Sequence, residues 1–354
     1  MDNTARTITT PPDIQTDIQT GIQTDIQTET VQAGRIANHY AARNTFADYR
    51  SRKADNTLAA QADDLATFAA YLEAVGVGAE GAALGSDPAA WQGVSWGLVR
   101  GFVAWMLEQG YAIGSINRKL STVKVYTKMA AQAGVISPDE LALIRTVTGY
   151  SGKEARRVDE RRTQTRTGAK KAEHVPLTPE QAKALKVQPD TPQGRRDALL
   201  LTLLLDLGLR VEEVALLMVA DFDLQANVVR FYRPKVDKSQ THRLTPGLRA
   251  ALRAWIESGD CAPFGPVLRG SRKGGKLTAA GMSERAITER VRVLGEAVGV
   301  TGLSAHDLRH HWASWAVAQG TDAFALRDAG GWNSLAMPSR YVEAATVAND
   351  RVRQ

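Results

Sequence analysis

The sequence predicts a mainly α-helical protein with a small β-sheet, folded as two domains. Apolar residues recur at helical spacing behind Ser, Thr or Asn caps along most of the chain. One stretch, Val228 to Tyr232, reads as a β-strand, and Thr241 to Leu244 reads as the strand that returns beside it. A polar and basic segment at residues 151–175 separates two helical regions, which predicts a linker between domains.

The composition favours a polyanionic partner. The 354 residues carry a net charge of +6, with an isoelectric point of about 9.4. The first 30 residues hold five acids against one arginine, a charge of −4, so the rest of the chain carries +10. Cys261 is the only cysteine, which excludes an intramolecular disulfide and is compatible with a reducing compartment. We therefore expect a cytoplasmic protein associated with the nucleoid.

Other classes of protein are not indicated by the sequence. It has no apolar run of membrane-spanning length and no signal peptide, so we expect no membrane partner. No group of Cys, His or carboxylate residues has the spacing of a metal site, so we expect neither a metal nor another cofactor.

Residues 1–38 are predicted to be a disordered, low-complexity tail. The tetrapeptide D/G-I-Q-T repeats four times between Asp13 and Thr28. Isolated isoleucines among threonines and glutamines, after Pro11-Pro12, offer too little apolar surface for a packed core.

Residues 39–150 are predicted to form a small helical domain. Asn56 caps a first helix that ends at Gly76, and a second helix runs from about Ser95 to Gln109. Ser115 caps a third helix, whose apolar face is flanked by a stripe of polar and basic residues.

Residues 176–354 are predicted to form the second domain. Its helices alternate with glycine-rich breaks and surround the short hairpin. In order, the predicted helices are Thr178–Leu185 behind a capping box, Asp197–Leu207 ending at Gly208, one opening at Arg210, Leu248–Ile256 behind Thr245, and Ser283–Gly299. Residues 257–280 are predicted to be a flexible basic loop.

The stretch from Ser304 to Tyr341 contains the candidate functional residues. Ser304 and Asp307 make a capping box, so a helix from Ala305 to about Gln319 places His306 and Arg309 on one face. Pro338 suits the first turn of a further helix, which would carry Tyr341 on its exposed face.

These residue types suit chemistry on a phosphodiester. The guanidinium group of arginine is always charged and binds two phosphate oxygens at once. Tyrosine, with a pKa of about 10, needs a base before it becomes a nucleophile at neutral pH. Histidine can take that proton, and a lysine beside arginines can protonate a leaving oxygen.

The pattern resembles the tyrosine recombinases, the phage integrases and Xer-type site-specific recombinases. The motif residues occur in that family's order: Arg210, a lysine on the hairpin, His306-x-x-Arg309, Trp332 and Tyr341. The resemblance covers roughly residues 40–354. It implies a helical core-binding domain of SAM-like fold, then an interdomain linker, then a tyrosine-recombinase catalytic domain, which together enclose a DNA duplex.

The resemblance also implies a role for each matching residue. Tyr341 is the nucleophile that forms a 3′-phosphotyrosine, and Arg210 and Arg309 hold the phosphate, with Glu213 orienting Arg210. Counting forward from the first strand selects Lys235 as the general acid, whereas counting back from Arg243 selects Lys238. Lys235 is the first choice because it ends the outgoing strand.

Trp332 stands where many relatives have histidine, and it would pack the site and donate its indole N–H to the phosphate. By the same resemblance, the third helix of the first domain and the helix before the His-x-x-Arg helix lie along DNA. The basic residues expected to contact phosphate are Arg118, Lys124, Lys128, Arg285 and Arg290.

The function expected from these features is site-specific recombination. A homotetramer would exchange strands between paired inverted-repeat sites through a Holliday junction, and the sequence does not distinguish integration, excision, inversion and resolution. Two alternatives stay open. One is a type IB topoisomerase, which uses the same chemistry to relax DNA. The other is a catalytically dead relative that only binds DNA.

Overall fold

The structure is a computed structural model that describes residues 12–165, 167 and 174–345, with side chains from residue 28 onward. It is mostly helical with two small sheets, which confirms the predicted fold class. The chain divides into two compact units, Met1–Lys170 and Lys171–Gln354. None of the helices within the described ranges is long and apolar enough to cross a membrane.

The described residues of the first unit form helices joined by loops, and none of them lies in a β-strand. Its helices are α1 (Pro12–Ser51), α2 (Asp55–Ala74), α3 (Gly81–Ser86), α4 (Trp96–Glu108), α5 (Ile113–Gln132), α6 (Pro138–Thr146) and α7 (Gly152–Asp159).

Aromatic side chains fill the core of the first unit. Phe68 stacks on Trp91 and meets Phe102 edge to face, and Trp91 also stacks on Tyr126. All four side chains are buried, and the indole N–H of Trp91 donates to the carbonyl of Leu84 at 2.9 Å. Burial of such rings contributes much of a small core's stability, so this cluster holds α2, α4 and α5 together.

Helix α1 corrects the prediction of a disordered tail. It runs through residues 12–38, which include the tetrapeptide repeat, while residues 1–11 lie outside the described range. Its last turns dock, because Phe46 is buried and contacts Tyr126 edge to face. A docked end removes the cost of nucleation, so the exposed residues 28–41 continue the same helix.

The predicted linker is also partly wrong. Its first half forms α7, which opens with a capping box between Ser151 and Glu154 and packs Ala155 and Val158 against the first core. Arg162 then donates to the carbonyl of Tyr111 at 2.9 Å. The segment is polar overall, so its composition did not indicate that Ala155 and Val158 pack against the core. These two contacts hold α7 against the first unit.

The second unit contains eight helices among its described residues. They are α8 (Pro179–Lys186), α9 (Pro192–Leu207), α10 (Val211–Leu216), α11 (Pro246–Glu257), α12 (Glu284–Ala297), α13 (Ala305–Ala318), α14 (Ala323–Gly330) and α15 (Ala336–Ala345). The predicted capping boxes at Thr178 and Ser304 are both present.

Two antiparallel sheets accompany these helices. The first has the order β1-β2-β3, with β1 (Phe222–Asp223), β2 (Val228–Arg233) and β3 (Lys238–Arg243), and β2 pairs with β3 from Val228↔Arg243 to Arg233↔Lys238. The second pairs β4 (Arg269–Ser271) with β5 (Leu277–Gly281). This hairpin lies in the stretch that was predicted to be a flexible loop, so that prediction is wrong.

Helix α9 is the centre of the second core. Its leucines from Leu199 to Leu205 are buried, and α8, α11 and α13 pack around it. Gly208 ends α9 in the left-handed conformation, with φ of 59°. A Cβ at Gly208 would lie 2.2 Å from the ring of Trp312, so only glycine allows α13 to approach this turn.

Candidate active site

Arg210 follows the turn at Gly208 and caps α10. Its backbone N–H and one guanidinium nitrogen both donate to Glu213, at 2.9 and 2.7 Å. The other terminal nitrogen donates to the carbonyl of Gly331 at 2.9 Å. Glu213 therefore orients Arg210, in line with the role that the resemblance implies, and the guanidinium group stays partly exposed.

Arg233 also bonds to Glu213, although the sequence pattern did not predict it as a site residue. Its side chain is fully buried, and Nη1 donates to both oxygens of Glu213, at 2.8 and 2.9 Å. The same guanidinium group donates to the carbonyls of Ala329, at 2.7 Å, and Gly330, at 3.2 Å. Arg233 thus ties the end of β2 to the turn after α14.

Arg309 lies on the second turn of α13 and is buried. It donates to the carbonyl of Gly208 and, at 2.6 Å, to that of Gly330. Because Arg210 uses the next carbonyl, that of Gly331, the two guanidinium groups meet at consecutive peptide units. The structure therefore brings together two arginines that are 99 positions apart in the sequence.

Trp332 packs beside Arg309. The guanidinium carbon of Arg309 lies 4.4 Å from the centre of the Trp332 ring, which is cation–π distance. Gly331 turns the chain here with φ of 62°, and a Cβ at this position would lie 2.7 Å from the Cδ of Arg233. Glycine at 331 is thus required both by the backbone and by the approach of the third arginine.

The two candidate lysines occupy different positions in the β2–β3 hairpin. Lys235 sits in the short 3₁₀ turn Pro234–Val236 and lines the same cavity as both arginines. Lys238 pairs with Arg233 at the start of β3 and does not line that cavity. The Tyr232 hydroxyl donates to Asp237 across this turn at 2.6 Å.

Tyr341 is half-buried, so the prediction that it lies on an exposed face is wrong. Its ring packs against Trp332 at 6.1 Å between centres. Its hydroxyl is 2.8 Å from Nδ1 of His310, and Nε2 of His310 is 3.0 Å from Nε2 of His306. The phenol therefore contacts a histidine one helical turn beyond the one that the sequence predicted.

These residues line one open cavity of about 560 Å³. Arg210, Lys235, His306, Arg309, Trp332 and Tyr341 all face it. The volume accommodates a phosphodiester with its neighbouring sugars.

The charges of the site favour an anion. Arg210 and Arg233 both bond to Glu213, whereas Arg309 bonds to the carbonyls of Gly208 and Gly330. Three guanidinium groups thus lie around one carboxylate, so the cluster keeps a net positive charge. Burial, and then repulsion from Arg210, lower the pKa of Arg309 to about 9. Burial also lowers the pKa of Arg233. Arg233 has Glu213 as its counter-charge, whereas the bonds of Arg309 described above go to carbonyls. Arg309 also lines the cavity, so a bound phosphate would stabilise its charge.

The residues predicted to contact DNA differ in their surroundings. Arg118 pairs with Asp64 at 2.8 Å, and Lys124 donates to the carbonyl of Arg145 at 2.9 Å. Arg290 donates to the buried Asp197 at 2.7 Å. These three cations have intramolecular roles, whereas Lys128 and Arg285 are exposed.

Two site residues that were missed had a signal in the sequence. His310 is four residues after His306, which places both on one face of a helix. Arg233 continues the alternation of β2, in which Val229, Phe231 and Arg233 are buried in turn. An arginine at an inward position of a strand needs a buried carboxylate, and Glu213 is that partner.

Comparisons with known proteins indicate the family of this chain. Residues 176–347 match the model of the phage integrase family. Tyrosine recombinase XerD of Pseudomonas aeruginosa is 26% identical over 303 residues, which cover 82% of this chain and 88% of that protein. Tyrosine recombinase XerC of Mycobacterium sp. (strain JLS) is 26% identical over 303 residues, covering 84% and 91%.

Solved structures share the fold. A lambda integrase dimer bound to a COC′ core site aligns with a TM-score of 0.58 and 16% identity, over 89% of this chain and 96% of that one. The Tn1549 transposon integrase in complex with transposon right end DNA gives a TM-score of 0.58 and 16% identity, over 85% and 94%.

The mainly helical fold and the match over residues 176–347 place the chain in the class of the phage integrases. The chain belongs to the tyrosine recombinase family.

Proposed function

We propose that this chain is a site-specific DNA recombinase that cuts and rejoins DNA through a 3′-phosphotyrosine intermediate. The observation that carries the proposal is the convergence of Arg210, Arg309 and Tyr341 on one cavity. Two guanidinium groups on consecutive carbonyls suit the two non-bridging oxygens of one phosphate.

In the proposed reaction, the Tyr341 hydroxyl oxygen attacks the scissile phosphorus and displaces the 5′-oxygen of the next nucleotide. Arg210 and Arg309 stabilise the charge that grows on the non-bridging oxygens. Lys235 protonates the leaving oxygen, and His306 acts in proton transfer on the tyrosine side. Trp332 packs against Arg309 and directs its indole N–H toward the phosphate.

The phosphotyrosine conserves the energy of the broken bond, so the rejoining step needs no nucleotide cofactor. A 5′-hydroxyl from a partner strand attacks the phosphotyrosine and releases Tyr341. We propose that two such rounds pass through a Holliday junction, carried out by a homotetramer on paired inverted repeats.

The partner of the protein is double-stranded DNA. The structural neighbours bound to DNA support this, as does the excess of positive charge. We propose phosphate contacts for the exposed Lys128 and Arg285, while Arg118, Lys124 and Arg290 contribute after they give up part of their intramolecular bonding. Because the substrate is DNA, we expect the protein to act at the nucleoid in the cytoplasm.

A nicked suicide substrate tests the proposal. The DNA is the inverted repeat that the protein footprints beside its own gene, with a nick a few nucleotides 3′ of the scissile phosphate. The freed fragment diffuses away, so we expect a protein–DNA adduct that survives denaturation and maps to Tyr341 by peptide mass spectrometry.

The alternatives predict other outcomes. A DNA-binding relative without activity gives a footprint but no adduct. A type IB topoisomerase gives an adduct and relaxes supercoiled DNA without these sites, and it yields no recombinant product. Either result would contradict recombination as the function.

Substrates with different leaving groups show whether Lys235 or Lys238 is the general acid. We expect Lys235→Met to slow adduct formation about a hundredfold, because the 5′-oxygen then leaves without a proton. A substrate with sulfur at the 5′-bridging position should restore the rate, since a thiol has a pKa of about 8.5 and leaves as the thiolate. Lys238→Met should stay within about threefold of the wild type on both substrates. The opposite pattern would transfer the role to Lys238.

A further inference from the structure

Tyr341 and two histidines form a continuous hydrogen-bonded row. The phenol oxygen is 2.8 Å from Nδ1 of His310, and the Nε2 atoms of His310 and His306 are 3.0 Å apart. Both histidines lie on one face of α13, and His306 lines the cavity. The row therefore leads from the nucleophile, through a half-buried imidazole, to an exposed one.

The tautomers in this row follow from counting protons. A neutral phenol donates its single proton, so Nδ1 of His310 is the acceptor. The proton of a neutral His310 is then on Nε2, which donates to Nε2 of His306. Because Nε2 of His306 accepts this hydrogen bond, the proton of a neutral His306 is on Nδ1. Each nitrogen of His310 thus has one fixed partner and one fixed role.

We propose that His310 is a catalytic residue that takes the proton of Tyr341 and relays a proton to His306. This deepens the proposed function and rests on it. As the O–H bond of Tyr341 breaks, the proton moves to Nδ1 of His310 while the oxygen's electron pair forms the bond to phosphorus. The proton on Nε2 of His310 passes to Nε2 of His306, and the P–O5′ electron pair leaves with a proton from Lys235.

His306 alone does not fill this role in the structure. His310 lies between it and the phenol, within hydrogen-bond distance of each. His306 receives the proton and returns it to solvent, so the transfer does not leave a second positive charge beside Arg309. His310 therefore accepts the proton of Tyr341, and His306, the histidine that the sequence predicted, accepts a proton from His310.

The surroundings of His310 keep it neutral and ready to accept. Burial lowers its pKa to about 4, helped by its two neighbouring histidines. His174 stacks on it, with ring centres 4.9 Å apart and planes 10° apart. The titratable and charged groups that act on it are His306, His174, Tyr341, Asp307 and Arg309. An anionic DNA phosphate in the cavity would raise its pKa and so strengthen it as a base.

Tyr341 needs such a base. Burial raises its pKa above the ordinary value of 10, although Arg309 opposes the shift. The fraction of phenolate at neutral pH is therefore small, and direct attack by a preformed anion is slow.

The test is His310→Gln in the full-length protein on the nicked suicide substrate. A glutamine amide can still hydrogen-bond to the phenol but does not take up a proton. We expect adduct formation to slow about a hundredfold, with DNA affinity unchanged. The 5′-bridging sulfur substrate should not restore the rate, because sulfur replaces only the acid on the leaving side.

His311→Gln is the matched control. His311 is the next residue on α13, but it stacks on Trp315 and lines a separate cavity. We expect this variant to form adduct within about twofold of the wild type. An equal loss in both variants would indicate damage to α13 and would overturn the proposal.

The pH profile separates proton transfer from positioning. In the wild type, the rate should fall as the pH drops through the pKa of His310, because the protonated ring has no electron pair at Nδ1. In His310→Gln, that fall should disappear, and the rate should rise about tenfold per pH unit toward the raised pKa of Tyr341. An unchanged profile, or a defect rescued by the sulfur substrate, would overturn the relay. Failure of the proposed function is distinct, since the wild type would then form no adduct, or would form one and relax DNA without giving a recombinant product.

Discussion

Tyr341→Phe is expected to abolish the covalent adduct completely while DNA affinity stays within about twofold. The substitution removes the one oxygen that bonds to phosphorus, so no slower route to the same adduct remains. The phenyl ring keeps its packing on Trp332, and the lost hydrogen bond to His310 costs about 1 kcal/mol of stability. Gel electrophoresis after denaturation measures the adduct, and a filter-binding or polarisation titration measures the affinity.

Tyr232→Phe is the control for this experiment. Tyr232 is the other tyrosine of the second unit, it is exposed, and its hydroxyl also makes one hydrogen bond, to Asp237. It does not line the cavity of the two arginines. We expect Tyr232→Phe to form adduct at near the wild-type level. An adduct that persists in Tyr341→Phe and disappears in Tyr232→Phe would move the nucleophile to β2.

The part of the site that the sequence predicted depends on local rules. The capping box at Ser304 fixes the first turn of α13, and this turn fixes the spacing of His306 and Arg309. Gly208 and Gly331 mark the ends of helices because both adopt the left-handed conformation. The family pattern then supplied what local rules lack, namely that Arg210 and Tyr341 meet this helix.

The part that was missed depends on contacts between distant segments. Arg233 bonds to carbonyls 96 and 97 positions later in the chain, and no periodicity in β2 indicates them. Tyr341 was placed on an exposed face from the helix that Pro338 opens, considered alone. In the structure, Trp332 and His310 come from other elements and contact the ring. Burial of a functional side chain is set by tertiary packing, which a single helix pattern does not contain.

The same limit explains the errors outside the site. The first half of the predicted linker is polar, and its two inward residues, Ala155 and Val158, become visible as a packing face only once the first core exists. Helix α1 is likewise continued from a docked end at Phe46 rather than from its own composition. Low hydrophobicity led to the prediction of disorder, whereas the docked end at Phe46 nucleates the helix.

Glu213→Gln is expected to destabilise the second unit by about 3–5 kcal/mol, because it removes the carboxylate from a buried ionic cluster. Arg233 is fully buried and would keep its charge without a counter-charge, while Arg210 would lose its salt bridge. A glutamine NH₂ group would also face guanidinium donors at one of the two carboxylate positions. Hydrogen exchange of α9 and α13, measured by mass spectrometry, reports this unit separately from the first.

Glu212→Gln makes the same change of charge one residue earlier, at a side chain that is not buried. We expect its effect on stability to stay within about 0.5 kcal/mol. The double variant Glu213→Gln with Arg233→Met removes the unpaired cation as well, so it should recover part of the loss. If Glu213→Gln and Glu212→Gln exchange at the same rate, or if the double variant is the sum of its parts, the carboxylate is not what holds Arg210 and Arg233 together.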